Sequence, residues 1–364
     1  MGYLVSTFSY AASEQTPKWK GTISKEGDVV VVKNPREPIY KSPILSLKEE
    51  LTIGGSAANG ESALSRPMDI ACDNEGNIFV LERSESCIKV FDNSGKYLRK
   101  IGRPGQGPGE LGFPISLSVF PARNEIFICD VGNSRLSVFS LEGNSLSQHQ
   151  ISRMAPQAKI DSSGAVYIIH TEFKPASPEN VLVKLAPAGT TMVAELARHN
   201  ADQTTNPFKP RDDLIVDCLD RLICGDERMC EVRYFSPDAK LIRRVLREFE
   251  PVRVTKEDID EFLTRPTPPG INPTYDFSTP HSAYGGFFAD DQGNLFVRTW
   301  ERTPDRSQDI HDIFDAEGRY IGRVALSRQT DLVNPKPRFI RAGKLYSIEP
   351  DAEGYEVVKR YSVS

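Results

Sequence analysis

The chain has 364 residues, of which 39% are hydrophobic and 26% charged, and its formal net charge is -5. This composition is typical of a globular protein that buries a core, and it excludes a disordered chain. The mildly acidic balance, without basic runs, argues against a nucleic-acid partner, and no stretch reaches the ~18 apolar residues that a membrane-spanning helix requires.

The first residues form a segment of their own. MGYLVSTFSYAASEQTP has a short run of apolar and small residues that ends near Ala11 and Ala12, as a signal-peptide cleavage site does, but it lacks a basic n-region. Residues 1–18 are therefore either the remnant of a secretory signal whose start lies upstream or a disordered terminus. We interpret residues 19–364 as a single domain.

Two β elements come next. GTISKEGDVVVVKNP, residues 21–35, predicts a hairpin with its turn at Gly27. LSLKEELTIGG, residues 45–55, predicts a strand that has no partner nearby in the sequence.

One pattern then repeats along the chain: an apolar strand, a turn rich in Asp, Asn and Gly, and a second strand rich in Ile, Phe, Val and Tyr. The copies are IACDNEGNIFVLE (Ile70 to Glu82), LSVFPARNEIFICD (Leu117 to Asp130), AKIDSSGAVYIIH (Ala158 to His170), LIVDCLDRLICGD (Leu214 to Asp226), FFADDQGNLFVRT (Phe287 to Thr299) and a shortened RFIRAGKLYSIE (Arg338 to Glu349). A third strand and another turn follow, so that one unit is a meander of four short antiparallel strands. Equivalent turn positions are 40 to 73 residues apart, which is the length of a propeller blade plus insertions.

These units predict an all-β fold, a six-bladed β-propeller of four-stranded blades, because radial packing buries both faces of each unit. The last copy ends at EVVKRYSVS without a fourth strand. We expect the strand at residues 45–55 to supply it and to close the ring. The hairpin at residues 21–35 is then an extra element, and a seventh blade built from it is the alternative.

The linker IGRPGQGPGELGFP, residues 101–114, contains a literal G-x-G-x-x-G between Gly107 and Gly112. A dinucleotide-binding loop needs a helix that begins at the third glycine, but Phe113, Pro114 and the alternating ISLSVF predict a strand there. Pro108 also removes an amide that a phosphate would need. We interpret this linker as a connection between blades.

A long insertion precedes the fifth blade. VTKEDIDEFLTR predicts one short helix, with Thr255 and Asp258 in a capping-box arrangement. The Pro-rich RPTPPGINPTYDFSTP after it predicts an extended loop over one face. Six cysteines are present without a C-x-x-C pair; Cys224 and Cys230 could form a disulfide in an oxidising compartment, but we expect all six to be buried as free thiols.

The segments RPMDIACDNEGNIFVLERSESCIKVFDNSGKYLRKIGRPGQGPGELGFP and DVGNSRLSVFSLEG resemble the NHL-repeat propellers, particularly the exported six-bladed ones of bacteria. The resemblance covers most of the chain and is loose in blades three and four. It implies the fold and an extracytoplasmic location. It implies little about chemistry, because propellers include lyases, lactone hydrolases and pure binding modules.

Two sets of positions are candidate sites. The ends of the second strands carry Glu82, Asp130, His170, Asp226, Thr299 and Glu349, which are either a cation-binding ring or, as with Asp130 and Arg135, residues that fix their own loops. The starts of the innermost strands carry Asp69, Ser116, Gln157, Asp213, Tyr284 and Arg338, a mixture that suits a polar small molecule or a peptide. The alternative for this second set is a solvated channel closed by hydrogen-bonded side chains.

A third candidate is RTWERTPDRSQD, which we interpret as a long loop between blades with Arg298, Trp300, Glu301, Arg302 and Arg306. Aromatic and Arg side chains dominate binding hot spots, so Arg298 and Trp300 are the preferred recognition residues. The alternative is a solvated loop without a binding role.

We therefore expect a monomeric, non-catalytic binding module for a peptide, protein or glycan, without a cofactor. The competing hypothesis is a hydrolase or lyase that uses Ca or Zn at the central channel. Of the five histidines, only His170 and His281 lie on plausible face loops, and no G-x-S-x-G nucleophile turn occurs.

Overall fold

A computed structural model describes residues 18–56, 58, 60–151, 158–175, 177–187, 191–201, 205–209, 212–226, 228, 230–264, 274–277, 280–328 and 336–364, without the side chain of residue 226. Six sheets of four or more strands surround a hub. From blade one to blade six, the first strand of each sheet contacts the first strand of the next, and blade six contacts the first strand of blade one. The predicted six-bladed β-propeller is confirmed.

The strands are numbered in chain order. Before the blades lie β1 (Thr22–Glu26), β2 (Val29–Asn34) and β3 (Leu47–Gly54). Blade one contains β4 (Pro67–Cys72), β5 (Ile78–Glu82), β6 (Cys87–Phe91) and β7 (Tyr97–Ile101). The linker to blade two holds a parallel pair, β8 (Arg103–Pro104) and β9 (Glu110–Leu111). Blade two contains β10 (Pro114–Phe120), β11 (Glu125–Asp130), β12 (Arg135–Phe139) and β13 (Ser145–Gln150).

The later blades follow the same plan. Blade three contains β14 (Ala158–Ile160), β15 (Val166–Glu172), β16 (Glu179–Leu185) and β17 (Met192–Asn200). Blade four contains β18 (Asp212–Val216), β19 (Leu222–Asp226), β20 (Glu231–Phe235) and β21 (Leu241–Arg247). Blade five contains β22 (Phe287–Ala289), β23 (Leu295–Arg302), β24 (Gln308–Phe314) and β25 (Tyr320–Ser327). Blade six contains β26 (Arg338–Arg341), β27 (Lys344–Pro350) and β28 (Glu356–Val363).

The ring closes as predicted. Strand β3 pairs antiparallel with β28 and becomes the fourth strand of blade six. Outside the ladder, the backbone N–H of Ser46 donates to the carbonyl oxygen of Ser364 at 2.8 Å. The strand that precedes blade one and the last strand of blade six are thus held in one sheet.

The hairpin β1–β2 does not form a seventh blade. Strand β2 pairs parallel with β21, which makes blade four a six-stranded sheet. Asn34 anchors the hairpin, because its side-chain amide donates to the carbonyl oxygens of Gly318 (2.8 Å) and Leu246 (3.2 Å), and its Oδ1 accepts from the Tyr320 backbone N–H (2.7 Å). The hairpin therefore links blade four to blade five.

Aspartates shape the tight turns. In blade one the Asp73 carboxylate accepts the backbone N–H groups of Glu75 and Asn77, both at 2.9 Å, while Gly76 takes a φ of 84°. That left-handed conformation favours glycine, although Asp220 takes it at the same place in blade four with a φ of 56°.

The hydrophobic core lies between the blades. It is divided into six main clusters, and each combines side chains from two neighbouring blades. Blades one and two, for example, share a cluster that includes Phe79, Leu81, Ile126 and Ile128. Each blade is therefore apolar on both faces and needs its neighbours to bury them.

The insertion before blade five contains the predicted helix, α1 (Lys256–Leu263). Thr255 and Asp258 form the capping box: the Thr255 side chain accepts from the Asp258 backbone, and the Asp258 side chain accepts from the Thr255 backbone. The remaining short helices are 3-10 turns at Gly60–Ser62, Pro121–Arg123 and Val131–Asn133.

The cysteines are free thiols, so Cys224 and Cys230 are not joined. Five of them are buried, but Cys218 is exposed, which corrects the expectation that all six would be buried. Within the part of the chain that the structure describes, no helix is both long and apolar enough to cross a membrane. The predictions for residues 1–17 and most of the Pro-rich loop fall outside the described residues.

Candidate functional site

We call the face on which first strands begin and second strands end the mouth face. Register places these two features together, since Pro67 pairs with Glu82 in blade one and Pro114 with Asp130 in blade two. Most of the candidate positions from the sequence lie at this face.

The linker between blades one and two is held by a buried carboxylate. Asp130 accepts hydrogen bonds from the backbone N–H groups of Gly112 (3.0 Å) and Phe113 (2.8 Å) and from the Asn133 side-chain amide (2.6 Å). Strand β10, not a helix, begins just after these amides. The G-x-G-x-x-G sequence is therefore a structural linker whose amides bind a carboxylate of the protein itself.

Arg135 completes this arrangement from the other side. Its guanidinium donates to the carbonyl oxygens of Glu110 (2.6 Å), Gln106 (2.7 Å) and Gly107 (3.1 Å). Its Nε lies 3.7 Å from Asp130 Oδ2. Asp130 therefore holds the linker through the linker's amide groups, and Arg135 holds it through the linker's carbonyl groups.

Glu82 has the same role in blade one. Its buried carboxylate accepts the backbone N–H groups of Ser65 (2.9 Å), Arg66 (2.9 Å) and Ser84 (3.0 Å). Glu82 and Asp130 therefore both fix the loops next to them, which is the structural alternative to a cation-binding ring.

The other second-strand ends also make local contacts. Glu349 accepts from the Tyr361 hydroxyl at 2.9 Å, and Thr299 donates to the Ile310 carbonyl oxygen at 2.9 Å. The His170 Nε2 lies 3.3 Å from a Glu172 oxygen. Among the described side chains, no three His, Cys, Asp or Glu are grouped so that they could hold a metal ion.

At the hub, two of the candidate side chains connect neighbouring blades. Asp69 Oδ2 accepts from the Leu117 backbone N–H at 2.9 Å, and the Ser116 hydroxyl donates to the Ala158 carbonyl oxygen at 3.3 Å. Burial raises the pKa of Asp69, and the positive charge of Lys159 opposes this effect. Gln157, the equivalent position in blade three, lies outside the described residues.

Asp213 and Tyr284 differ in their surroundings. One carboxylate oxygen of Asp213 is buried and has no hydrogen-bond partner among the residues that the structure describes. Tyr284 was expected to face the channel, but it packs in the cluster between blades four and five, and its hydroxyl lies 3.4 Å from the Glu231 carbonyl oxygen. A Cβ on Gly225 would lie only 1.9 Å from the Tyr284 hydroxyl, so the missing side chain makes room for the ring. The cavity beside Tyr284 is small and apolar.

Arg338 and Arg298 belong to a buried charged cluster between blades five and six. The Arg338 Nε donates to Ser347 Oγ at 3.0 Å, and burial lowers the pKa of this guanidinium to about 10, against the opposing charges of Glu349 and Asp309. The Arg298 Nε donates to the Gly285 carbonyl oxygen at 2.8 Å. Both arginines are therefore interior groups, at 7% and 4% relative exposure.

The same cluster affects His311. Burial lowers the pKa of this imidazole well below its usual value, and the positive charges of Arg338 and Arg298 lower it further. His311 is therefore neutral near pH 7.

The segment RTWERTPDRSQD is not a long loop between blades. Strand β23 continues through Arg302, and a short turn leads directly to β24 within blade five. Trp300 is half-buried and stacks on His281, with ring centroids 4.1 Å apart and planes at 12°. The expected exposed recognition residue is thus part of a small aromatic cluster beneath α1.

Asp258 connects α1 to this segment. Its carboxylate receives hydrogen bonds from Arg302 (2.6 Å) and Arg306 (3.1 Å), and its Oδ2 lies 3.2 Å from His281 Nε2. Burial opposes ionisation, but the hydrogen bonds from His281 and Thr255 and the charge of Arg302 outweigh it and lower the pKa of Asp258 well below its usual value. These residues position the insertion over blade five.

The mouth face carries three exposed aromatic rings that the sequence analysis did not select: Phe113, Phe173 and Tyr355. Their relative exposures are 41%, 88% and 53%, and in the described part of the chain they are the only exposed large aromatics. Phe113 lies just before β10, Phe173 follows β15, and Tyr355 lies between β27 and β28. A sequence signal exists, since Phe113 and Tyr355 adjoin Gly or Pro and Phe173 lies two residues before Pro175, but many buried aromatics also lie near turns.

Comparisons with known proteins agree with this architecture. A family model described as DUF5128, 6-bladed beta-propeller, matches residues 60–171. None of the curated proteins matches the chain. The fold is a six-bladed β-propeller.

Solved structures resemble the propeller over most of its length. A Bacteroides fragilis protein presumed to be exported is 11% identical with a TM-score of 0.58, covering 92% of this chain and 99% of that one. A member of the DUF4221 family from Bacteroides vulgatus is 15% identical with a TM-score of 0.56, covering 88% and 98%. A PQQ-bound aldose sugar dehydrogenase from Streptomyces coelicolor is 12% identical with a TM-score of 0.50, covering 89% and 100%. At these identities the likeness concerns the fold alone.

Proposed function

We propose that this propeller is a non-catalytic binding module that recognises a peptide, a protein or a glycan through its mouth face. The observation that supports the proposal is the placement of Phe113, Phe173 and Tyr355, the exposed aromatic rings of the described residues, on that one face. Aromatic side chains are enriched in binding surfaces because they bury a large area at a small cost in conformational entropy.

The linker that carries Phe113 and the segment before β4 are each held by a buried carboxylate, which preorganises this part of the mouth face. Buried carboxylates of Glu82 and Asp130 hold the chain where it approaches β4 and β10. A preorganised surface loses less entropy on binding than a mobile one. At the hub, Asp213 is a further candidate ligand contact, because one of its oxygens is buried and finds no partner in the described part of the chain.

We also propose that the chain is a propeller of the NHL-repeat type that acts outside the cytoplasm. The D-x-x-N-x-R core at Asp130 to Arg135 and the linker at residues 101–114 support the repeat type. The likeness to a protein presumed to be exported supports the location. Fractionation of the native host, with detection of the protein in the extracytoplasmic fraction, tests the location.

The binding proposal is tested by screening the purified full chain on peptide and glycan arrays. A variant with Phe113, Phe173 and Tyr355 changed to Ser should lose at least about tenfold in affinity for every ligand found, because aromatic anchors carry much of the binding energy. The matched control changes Leu98, Leu146 and Leu219 to Ser; their relative exposures are 42%, 52% and 61%, and they lie on outer strands or on the turn at the opposite face.

Equal loss in the control variant, or binding that neither variant weakens, would contradict recognition through the mouth face. Metal analysis of the purified protein adds a second criterion. A stoichiometric, chelatable Ca or Zn would favour the hydrolase or lyase instead.

A further inference from the structure

Two arginines lie side by side on the mouth face of blade one. Arg66 precedes β4, Arg83 follows β5, and the Arg83 backbone N–H donates to the Arg66 carbonyl oxygen at 3.1 Å. The Arg83 guanidinium lies over an aromatic ring, with its carbon 3.5 Å from the centroid of the Phe113 ring. Stacking leaves the N–H edge of a guanidinium available to an acceptor in its plane.

The charges of this pair are not neutralised by an ion pair. Among the described residues, the Arg66 side chain makes no hydrogen bond or ion pair, and Arg83 reaches only the Met68 sulfur, at 3.8 Å. Partial burial lowers the pKa of Arg83, and the neighbouring charge of Arg66 lowers it further. Most other arginines of blades one and two contact a carboxylate or a carbonyl oxygen.

Four acids at the mouth face of blades one and two are engaged by other partners. Glu82 and Asp130 are fully buried and accept backbone N–H groups. Glu85 lies 2.5 Å from Lys89 and 3.5 Å from Lys100, and Glu110 lies 3.0 Å from Arg103. Within the described parts of the chain, two positive charges therefore have no acidic partner, in a protein of net charge -5.

The aromatic ring beneath them is held in place. The Phe113 backbone N–H is bound by Asp130 at 2.8 Å, and the Phe113 carbonyl oxygen accepts from Val131 at 3.1 Å. Gly132 packs so closely that a Cβ on it would lie 2.6 Å from the Phe113 backbone nitrogen. The ring and the guanidinium stacked on it are therefore preorganised for a ligand.

We propose that Arg66 and Arg83, with Phe113 and Met68 as an apolar shelf, form a carboxylate-recognition site for an acidic peptide segment of a partner protein. This inference rests on the proposed function and names its ligand. An Asp or Glu carboxylate would accept from both guanidinium groups, and the apolar side chain next to it would lie on the Phe113 ring.

The number of charges favours a peptide over a polyanion. Two arginines suit one or two carboxylates, whereas nucleic acids and sulfated polymers require an extended basic surface, which an acidic protein opposes. The exposed Phe113 ring adds an apolar contact. A Leu, Ile or Phe next to the Asp or Glu of the peptide would pack on this ring.

The test measures binding of dye-labelled dodecapeptides by fluorescence anisotropy. Each peptide has a Gly-Ser frame around a Glu or Asp flanked by Leu, Ile or Phe, and each is paired with its Gln or Asn counterpart. We expect the full chain to bind acidic members more tightly than their amides. Arg83→Gln and Arg66→Gln should each weaken that binding about tenfold or more, since a hydrogen bond to a charged group contributes that much.

The matched control is Arg103→Gln. Arg103 lies in the linker between blades one and two, its side chain is 72% exposed, and its partner is Glu110, so the variant changes the net charge equally but leaves the pair intact. Arg83→Lys retains the charge without the planar stack and should give an intermediate loss.

Equal binding of the acidic and amide peptides, an equal loss in Arg103→Gln, or tighter binding of a uronate oligosaccharide than of any acidic peptide would overturn this inference. Failure here remains distinguishable from failure of the proposed function. If neutral peptides or glycans bind and the Phe113, Phe173 and Tyr355 variant loses them, the mouth face is still the binding surface.

Discussion

At the scale of single residues, Asp130 is an acid at a position that recurs in the repeat, and its role is structural. Its carboxylate is fully buried, yet it accepts three hydrogen bonds, from Gly112, Phe113 and Asn133. Those donors would otherwise be buried without partners, which is costly. The charge of Asp130 is thus used inside the protein and is not presented to a ligand.

Asp130→Ala should lower the free energy of unfolding by about 3–5 kcal/mol, because it leaves three donors without their acceptor and removes the negative charge beside Arg135. Urea denaturation monitored by fluorescence measures this loss. The control is Asp92→Ala, since Asp92 also accepts the backbone amides of Ser94 and Lys96, but at an exposed turn. A loss for Asp92→Ala as large as for Asp130→Ala would show that burial of the carboxylate is not what matters.

At the scale of the element, α1 is held to blade five chiefly through Asp258. The carboxylate lies between its own helix cap and the β23–β24 turn, and it receives hydrogen bonds from Arg302 and Arg306. Phe262 on the next turn of α1 packs against Phe208 with centroids 6.0 Å apart. The insertion is therefore fixed both by charge and by aromatic packing.

Asp258→Asn should increase hydrogen exchange in α1 and destabilise the protein near neutral pH. Because the folded-state pKa of Asp258 is lowered, its stabilisation is complete above the unfolded value of about 3.9 and is lost as the pH falls below it. The difference in unfolding free energy between wild type and Asp258→Asn should therefore be largest above about pH 5 and shrink toward about pH 3.

Asp260→Asn is the control on the same helix, where the side chain is exposed, and it should leave both measurements unchanged. A difference between wild type and Asp258→Asn that stays constant with pH would contradict a role for the ionised carboxylate.

Sequence patterns predicted the elements better than the contacts between them. Strands, Asp-Gly turns and the cap of α1 depend on neighbouring residues, so alternation and capping rules sufficed. Trp300 was misplaced because its partner His281 and the helix above it come from the distant insertion. Tyr284 was misassigned because Gly285 and Gly286 separate it from β22, and a shift of one residue changes the face on which a side chain lies.

The exposure of Phe113, Phe173 and Tyr355 was equally inaccessible from the sequence. The chain has 18 Phe and 12 Tyr, and composition does not distinguish the rings that pack between blades from those that face solvent. That distinction depends on the depth of each turn relative to the neighbouring blade, which only the three-dimensional arrangement sets.

At the scale of the whole molecule, the ring depends on contacts between β3, which precedes blade one, and β28 of blade six. The core is a circle of clusters between blades, so no blade buries its apolar faces alone. Strand β3 contributes Ile53 to the cluster that joins blades six and one, while it pairs with β28. The hairpin β1–β2, by contrast, adds to an outer edge and closes nothing.

Ile53→Ala should therefore weaken the entire ring and not only blade six. Ile53 is 4% exposed, and truncation of such a residue costs about 2–5 kcal/mol through lost burial and the cavity left behind. Hydrogen exchange measured by mass spectrometry should rise in β26–β28 and in β4–β7 together, because both blades share the cluster.

Ile23→Ala on β1, where the side chain is 54% exposed, is the control and should change stability by less than about 0.5 kcal/mol. Faster exchange confined to β3 and β28 would mean that the blades open independently. That result would contradict the prediction that closure of the ring stabilises the neighbouring blades.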